Sequence, residues 1–244
     1  MKRSFAICAV VGAILGLFAC GSPPETPAGA EAATDGWVAG PRVDRVVREG
    51  NAIVVSGLGA RFGRIVLTGP DGVAYAAGAD EAGHFDIRLP APKQDALLAV
   101  EAQVGQIAYP APGRLLVPLD PRGPVALLGI GAPTRRLDPA GPLDAVDTDG
   151  RAGFLSGRAG AGAAVAVGRR GGGTVTAGED GRWTLLVSGD GSEPVQVGDR
   201  VFTPPPMVVT IDGVLERAGE GWRLGWTSTG GARQVTWFPD RPTP

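Results

Sequence analysis

Thiols are almost missing from this chain. Its two cysteines, Cys8 and Cys20, both fall in the first twenty residues. Beyond them no side chain can form a disulfide or give a metal a thiolate, so the body must be held by packing, without the roughly 2–4 kcal/mol that each crosslink adds. Histidine is scarcer still, since His84 stands alone. A Ser-His or Cys-His nucleophile needs a base in reach and a zinc site needs several ligands, so neither assembles around His84, which reads as an exposed strand residue. Charge of either sign is weak. With 23 basic and 25 acidic residues the formal balance is −2, turning more acidic once Lys2 and Arg3 leave with a leader. Nothing here recruits nucleic acid by charge, and no cofactor is expected. No stretch beyond the leader sustains a helical period.

What abounds is glycine and proline, 40 and 22 of 244 residues, close to the roughly 25–30% at which an aperiodic chain reads as disordered. Most of the chain is not aperiodic. Met1-Lys2-Arg3 is a short positive region followed by an apolar run from Phe5 to Phe18. As a helix that run measures only about 21 Å, short of the roughly 30 Å hydrocarbon core, so it reads as a signal peptide and implies export. The junction Leu17-Phe18-Ala19-Cys20 at its end resembles the lipobox of bacterial lipoprotein precursors. That resemblance implies a diacylglycerol thioether on Cys20, which becomes the mature N-terminus, and acyl chains that anchor it without a transmembrane helix. Gly21 resembles lipoproteins sorted to the outer membrane. An ordinary cut at the small-x-small run Ala19-Cys20-Gly21 would instead release a soluble chain. From Ser22 to about Asp35 proline, alanine and acid without period predict a disordered tether.

The body repeats itself. Residues 43–57 align with residues 143–157 at a constant offset, matching Asp44 with Asp144, Gly50 with Gly150 and Ser56-Gly57 with Ser156-Gly157. Further on, Gly83, Phe85, Ile87 and Leu89 meet Gly181, Trp183, Leu185 and Val187, and residues 103–112 meet residues 196–205. Within each unit strict alternation predicts half-buried antiparallel strands, separated by turns at Gly69-Pro70-Asp71-Gly72, Asp80 to Gly83 and Glu179-Asp180-Gly181. Short strands at regular spacing argue for sandwiches. The run RIVLTG, a DG turn, a small-residue strand and DEAGHFDIRL resembles bacterial Ig-like and carboxypeptidase-regulatory-like, that is transthyretin-like, modules. The resemblance implies a spacer, adhesion or binding module without catalytic residues. The expected architecture is therefore all-β: signal peptide 1–19, lipidated cysteine and linker 20–38, a first β-sandwich 39–142, and a second 143–244 closed by a C-terminal hairpin. With Gly230-Gly231 as its two-residue turn, that hairpin would set Trp226 opposite Val235 and Leu224 opposite Trp237, all on one face.

Candidate sites are few. Asp144, Asp147 and Asp149 cluster where the second repeat begins and offer hard oxygen ligands for calcium, against a plain solvated acidic turn. Trp222, Trp226 and Trp237 could form an aromatic platform for a sugar or a partner strand, or simply fill a thin core. Ser56 and Ser156 read as turn residues, lacking the G-x-S-x-G elbow. The glycine-rich Gly168–Gly173 lacks the G-K-[ST] ending of a phosphate loop and reads as an exposed hairpin loop. Paired carboxylates for a glycosidase would have to be Asp80, Glu81, Glu179 and Asp180, which occupy equivalent turns of separate units, so no enzyme is expected. The expected function is a lipid-anchored envelope protein that binds, spaces or assembles, with the membrane as one partner and an envelope protein or polysaccharide as the other.

Overall fold

Alternation along the chain becomes strand after strand. The computed structural model describes residues 39–129, 131–208, 210–227 and 231–242; the leader, Cys20 and the linker lie outside the described residues. The first repeat supplies β1 (Arg42–Glu49), β2 (Ala52–Leu58), β3 (Arg64–Thr68), β4 (Ala74–Gly78), β5 (His84–Pro90), β6 (Ala96–Val104) and β7 (Ile107–Val117). Two short strands follow, β8 (Ala126–Leu128) and β9 (Arg135–Arg136). The second repeat forms β10 (Leu143–Thr148), β11 (Ala152–Arg158), β12 (Ala164–Gly168), β13 (Gly173–Thr176), β14 (Arg182–Ser188), β15 (Val195–Val197) and β16 (Arg200–Phe202). The tail adds β17 (Leu215–Arg217), β18 (Gly221–Thr227) and β19 (Arg233–Pro239). Every regular element among the described residues is a strand, and the ladders are antiparallel.

Four sheets result: sheet I (β1-β2-β5), sheet II (β4-β3-β6-β7-β8-β9), sheet III (β14-β11-β10-β19-β18-β17) and sheet IV (β13-β12-β15-β16). The duplication is legible in the topology, because β1-β2-β5 recurs as β10-β11-β14 and β4-β3-β6-β7 as β13-β12-β15-β16. It extends to irregularities. A bulge falls between Val43 and Arg45 in one copy and between Leu143 and Ala145 in the other. Gly57 and Gly157 sit where a Cβ would strike the backbone of residue 42 or 142 and the ring of Phe85 or Trp183.

Sheets I and II close on a core of Ile53, Val55, Ile65, Phe85, Ile87, Val100 and Leu115. Sheets III and IV close on Leu143, Leu155, Val167, Trp183, Val195 and Trp237. A third core joins the two sandwiches: Leu116, Ala126 and Leu128 of sheet II meet Ala145, Trp222, Leu224, Trp226 and Phe238 of sheet III. Sheet III is thus apolar on both faces.

This double burial explains a correction to the hairpin. Trp226 lies opposite Gln234, Leu224 opposite Thr236 and Trp222 opposite Phe238, one residue away from the register expected of a turn at Gly230-Gly231. A one-residue slip moves a strand's whole side-chain set to the other face. Val235 and Trp237 therefore enter the core of the second sandwich, while Trp222, Leu224 and Trp226 enter the core between the sandwiches. The chain's lack of body thiols makes the register directly testable. A Thr227→Cys/Arg233→Cys pair, directly cross-strand, is expected to oxidise to a disulfide, whereas Thr227→Cys/Gln234→Cys, the partner in the slipped register, should not. Mass spectrometry of the oxidised proteins reads the difference.

Candidate functional site

The most built polar region is the seam that ties the two sandwiches together. Arg136, on β9, is 1% exposed. Its Nε and Nη2 donate to Asp138 at 3.1 and 2.6 Å, and its Nη1 donates to the carbonyl of Pro239 in the tail at 2.7 Å. Asp138 also accepts from the Val125 amide and from Arg241 Nε. The Arg136 carbonyl accepts from Arg158 Nη2 at 2.9 Å and Arg182 Nη2 at 3.0 Å. Those two guanidiniums are held in turn by fully buried Asp144, which takes Arg158 Nε on one oxygen at 2.7 Å and Arg182 Nη1 on the other at 2.9 Å. Of these contacts the Arg136–Asp138 pair is bidentate, Nε and Nη2 each on one carboxylate oxygen, which fixes direction as well as distance.

Asp147 forms the second half of the seam. Its Oδ2 accepts from the Thr134 amide at 2.8 Å, and its Oδ1 accepts from the hydroxyls of Thr134 and Thr236, both at 2.7 Å, and from Gln234 Nε2 at 3.0 Å. Ser156 adds a hydroxyl donated to the Thr134 carbonyl. All four donors to Asp147 are neutral, so burial, only partly offset by them, pushes its pKa up. Asp149 is different again: it is exposed and caps its own turn through the amides of Arg151 and Ala152. The three aspartates weighed as candidate calcium ligands thus face three separate sets of donors. Among the described residues no group of three His, Cys, Asp or Glu side chains gathers around a common point.

The tryptophans are interior. Trp222 is 8%, Trp226 2% and Trp237 1% exposed, so as folded they offer no ring face to a sugar, and their burial supports the core reading. Trp237 Nε1 donates to the Ala218 carbonyl inside the sheet. Asp80 and Glu81 lie in the β4–β5 turn, and Glu179 and Asp180 in the β13–β14 turn of the other sandwich. Asp80 accepts the amides of Ala82 and His84, and His84 stands exposed beside it, Nδ1 at 3.6 Å from Oδ2. Ser56 donates to Asp86 on the outer face of sheet I. The glycine-rich loop keeps Arg170 and its glycines exposed, but Arg169 departs from the expectation: its side chain is fully covered and turns inward toward Glu193 and the Ser188 carbonyl.

Two features escaped sequence reading. The seam arginines were visible in the repeat itself, since Arg158 replaces Leu58 and Arg182 replaces His84 in the alignment. The other is Phe62. It is 72% exposed and holds a left-handed backbone at φ 56°, with Arg61 over its ring. The second copy satisfies that turn with Gly162 at φ 70°. A bulky side chain there costs about 1–3 kcal/mol, a strain found mostly where function needs it.

No protein-family model matches the chain, and no curated protein matches it significantly.

Two measurements test the seam. Asp144→Ala leaves two partly buried guanidiniums without their anion and is expected to cost about 2–4 kcal/mol, while Asp44→Ala, at the equivalent but half-buried position of the first copy, should cost about 0–1 kcal/mol, both read by chemical denaturation. The second concerns pH. A carboxyl whose folded pKa is raised binds its proton more tightly when folded, so the stability it contributes is fully present below the unfolded value and is lost as pH rises through the folded value. Relative to wild type, Asp147→Asn should therefore be most destabilising at low pH, with the deficit shrinking as pH climbs through that window in denaturation midpoints.

Proposed function

We propose that the protein is an envelope lipoprotein whose two sandwiches act as one unjointed, non-catalytic binding or spacing body, tied to the outer membrane through Cys20. The anchor rests on the cysteine standing at the end of a run too short to span, in a junction resembling a lipobox. The body's role rests on the seam. Asp138, Asp144 and Asp147 are buried and held in the ion pairs and hydrogen bonds of that seam, where no substrate reaches them.

Mechanism in such a protein is geometry. Lipid fixes the address, and the linker from residue 21 to 38 sets the reach. The fused body then presents its contacts at a fixed spacing instead of swinging about a hinge. With the tryptophans interior, contact falls to the loops and to the edge strands β1, β4, β5, β9, β13, β14, β16 and β17, whose unpaired backbone groups can accept a strand from an envelope protein or meet a polysaccharide.

Metabolic labelling with a fatty acid tests the anchor. Wild type is expected to carry the label and to partition with membranes, and Cys20→Ser to lose the label and appear in the soluble fraction. A mature N-terminus downstream of Cys20 would overturn the proposal.

A further inference from the structure

The two copies of the fold differ most tellingly at one end. In the first sandwich, pairing of Arg42 with Leu58, Leu58 with His84, Arg64 with both Gly78 and Gln103, and Val104 with Ile107 brings one set of termini together. That end carries the β2–β3 loop with Phe62, the β4–β5 turn and the β6–β7 hairpin tip. Phe62 lies over the turn through its amide, which donates to the Asp80 carbonyl at 3.3 Å. The core-facing side of the hairpin, Ala102 and Tyr109, continues to Val104 and Ile107, which overhang the end of the sandwich at 37% and 58% exposure. Three apolar side chains therefore project from one end of the body.

The chain from the N-terminus arrives at this same end. Gly40 lies against the backbone of Pro110 on β7, and Pro41 packs beside Gly59, before β1 runs away toward the opposite end at Glu49. Only the nineteen residues 21–39 separate that point from Cys20.

The second copy provides the comparison that composition cannot. Its equivalent loop has Gly162 in place of Phe62, and its equivalent hairpin, with the same left-handed glycine at 198 as at 105, has Arg200 in place of Ile107. Its valine, Val197, is buried. The copy farther along the chain is thus small, charged or covered at each place where the copy beside the linker is apolar and exposed. Strain at Phe62 points the same way, because glycine was compatible with that turn and a phenyl ring stands there instead.

We infer that this end of the first sandwich, Phe62 with Val104 and Ile107, is a membrane-contact surface that rests at the boundary between headgroups and acyl chains, with a zwitterionic rim of Arg42, Arg61 and Arg64 and of Asp80 and Glu81 at headgroup level. The inference rests on the anchored reading above and adds a second attachment to it. An amphipathic tip with so few apolar groups binds lipid weakly alone, but a linker of nineteen residues to an anchored lipid raises its effective concentration to about the millimolar range, which suffices for weak contact to persist. The body then has a fixed orientation: first sandwich at the bilayer, second sandwich away from it.

The full lipidated chain in vesicles of phosphatidylethanolamine and phosphatidylglycerol tests this. With Cys20 blocked as a thioether, a single introduced thiol can be labelled with an environment-sensitive dye, at Ala108→Cys beside the tip or at Asn51→Cys at the opposite end. The label at 108 should shift to the blue and lose several-fold in quenching by aqueous iodide, while the label at 51 stays in water. Phe62→Gly with Ile107→Arg installs the residues that the second copy already folds with, and should return the label at 108 to water while the lipid remains. Both labels in water on a lipidated chain would overturn the inference and leave the anchor standing. A chain without lipid on Cys20 would overturn both. Shielding of the label at 108 in soluble Cys20→Ser protein, released by changing the one aromatic residue of the linker, Trp37→Ala, would show that the chain's own segment covers the tip and would overturn the membrane contact.

Discussion

Sheet III has no solvent face over its middle strands. β10 and β19 sit at its centre, with the core of the second sandwich on one side and the core shared with sheet II on the other. A strand buried on both faces must give up the alternation that marks a half-exposed one, and each polar group it keeps must be paired within the protein. The rest of the structure follows from meeting that requirement. Asp144 and Asp147 are carried on a strand whose residues are all buried. They are tolerable there because two guanidiniums meet the first and four hydrogen-bond donors meet the second. The same requirement is met by the tail register, which sends Trp237 into one core and Trp222, Trp226 and Phe238 into the other.

The duplicated unit shows how such an interface arises. Sheet I and the β10-β11-β14 part of sheet III share pairing, bulge position and turn glycines. Their outer faces have opposite fates. On sheet I the outer face is wet, with Ser56 bonded to Asp86 and Arg88 to Glu49. On sheet III it is covered, and Ser156 turns to the backbone of the connecting segment instead. The change needed few residues: arginine at 158 and 182 gave Asp144 its partners, and the tail hairpin supplied apolar cover. One scaffold therefore serves as a free surface in one copy and as an interface in the other.

Legibility in the sequence followed the same division. Strand β5 alternates perfectly between water and core, and its period of two named both its type and its inward residues. The turns at Gly72, Gly83 and Gly181 were readable because their backbones need the left-handed region that glycine enters freely. What period cannot express is contact between domains. Asp144 and Asp147 look like an acidic turn because nothing local says that a second sheet will cover them. Arg136 looks like one more surface arginine until Pro239, more than a hundred residues later, closes over it. Phe62 was passed over because a lone aromatic in a loop carries no periodic signal; its meaning lies in φ and exposure, which exist only in the folded chain.

The polar character of the seam bears on what the body can do. A purely apolar interface between the sandwiches would be at least as stable, since burying ions costs much of what their attraction returns. It would also be permissive, because apolar surfaces can slide past one another. The seam here is directional. Arg136 must reach the Pro239 carbonyl while its own carbonyl receives Arg158 and Arg182, Asp138 must receive Arg241 from the tail, and Asp147 must receive Thr134 from the connecting segment. Rotation of one sandwich against the other would break several of these at once and leave buried polar groups without partners, at roughly 1–3 kcal/mol for each. The seam thus selects one relative orientation. A body with one orientation transmits position from end to end, which is what an anchored spacer or docking element requires and what a flexible pair of domains could not provide.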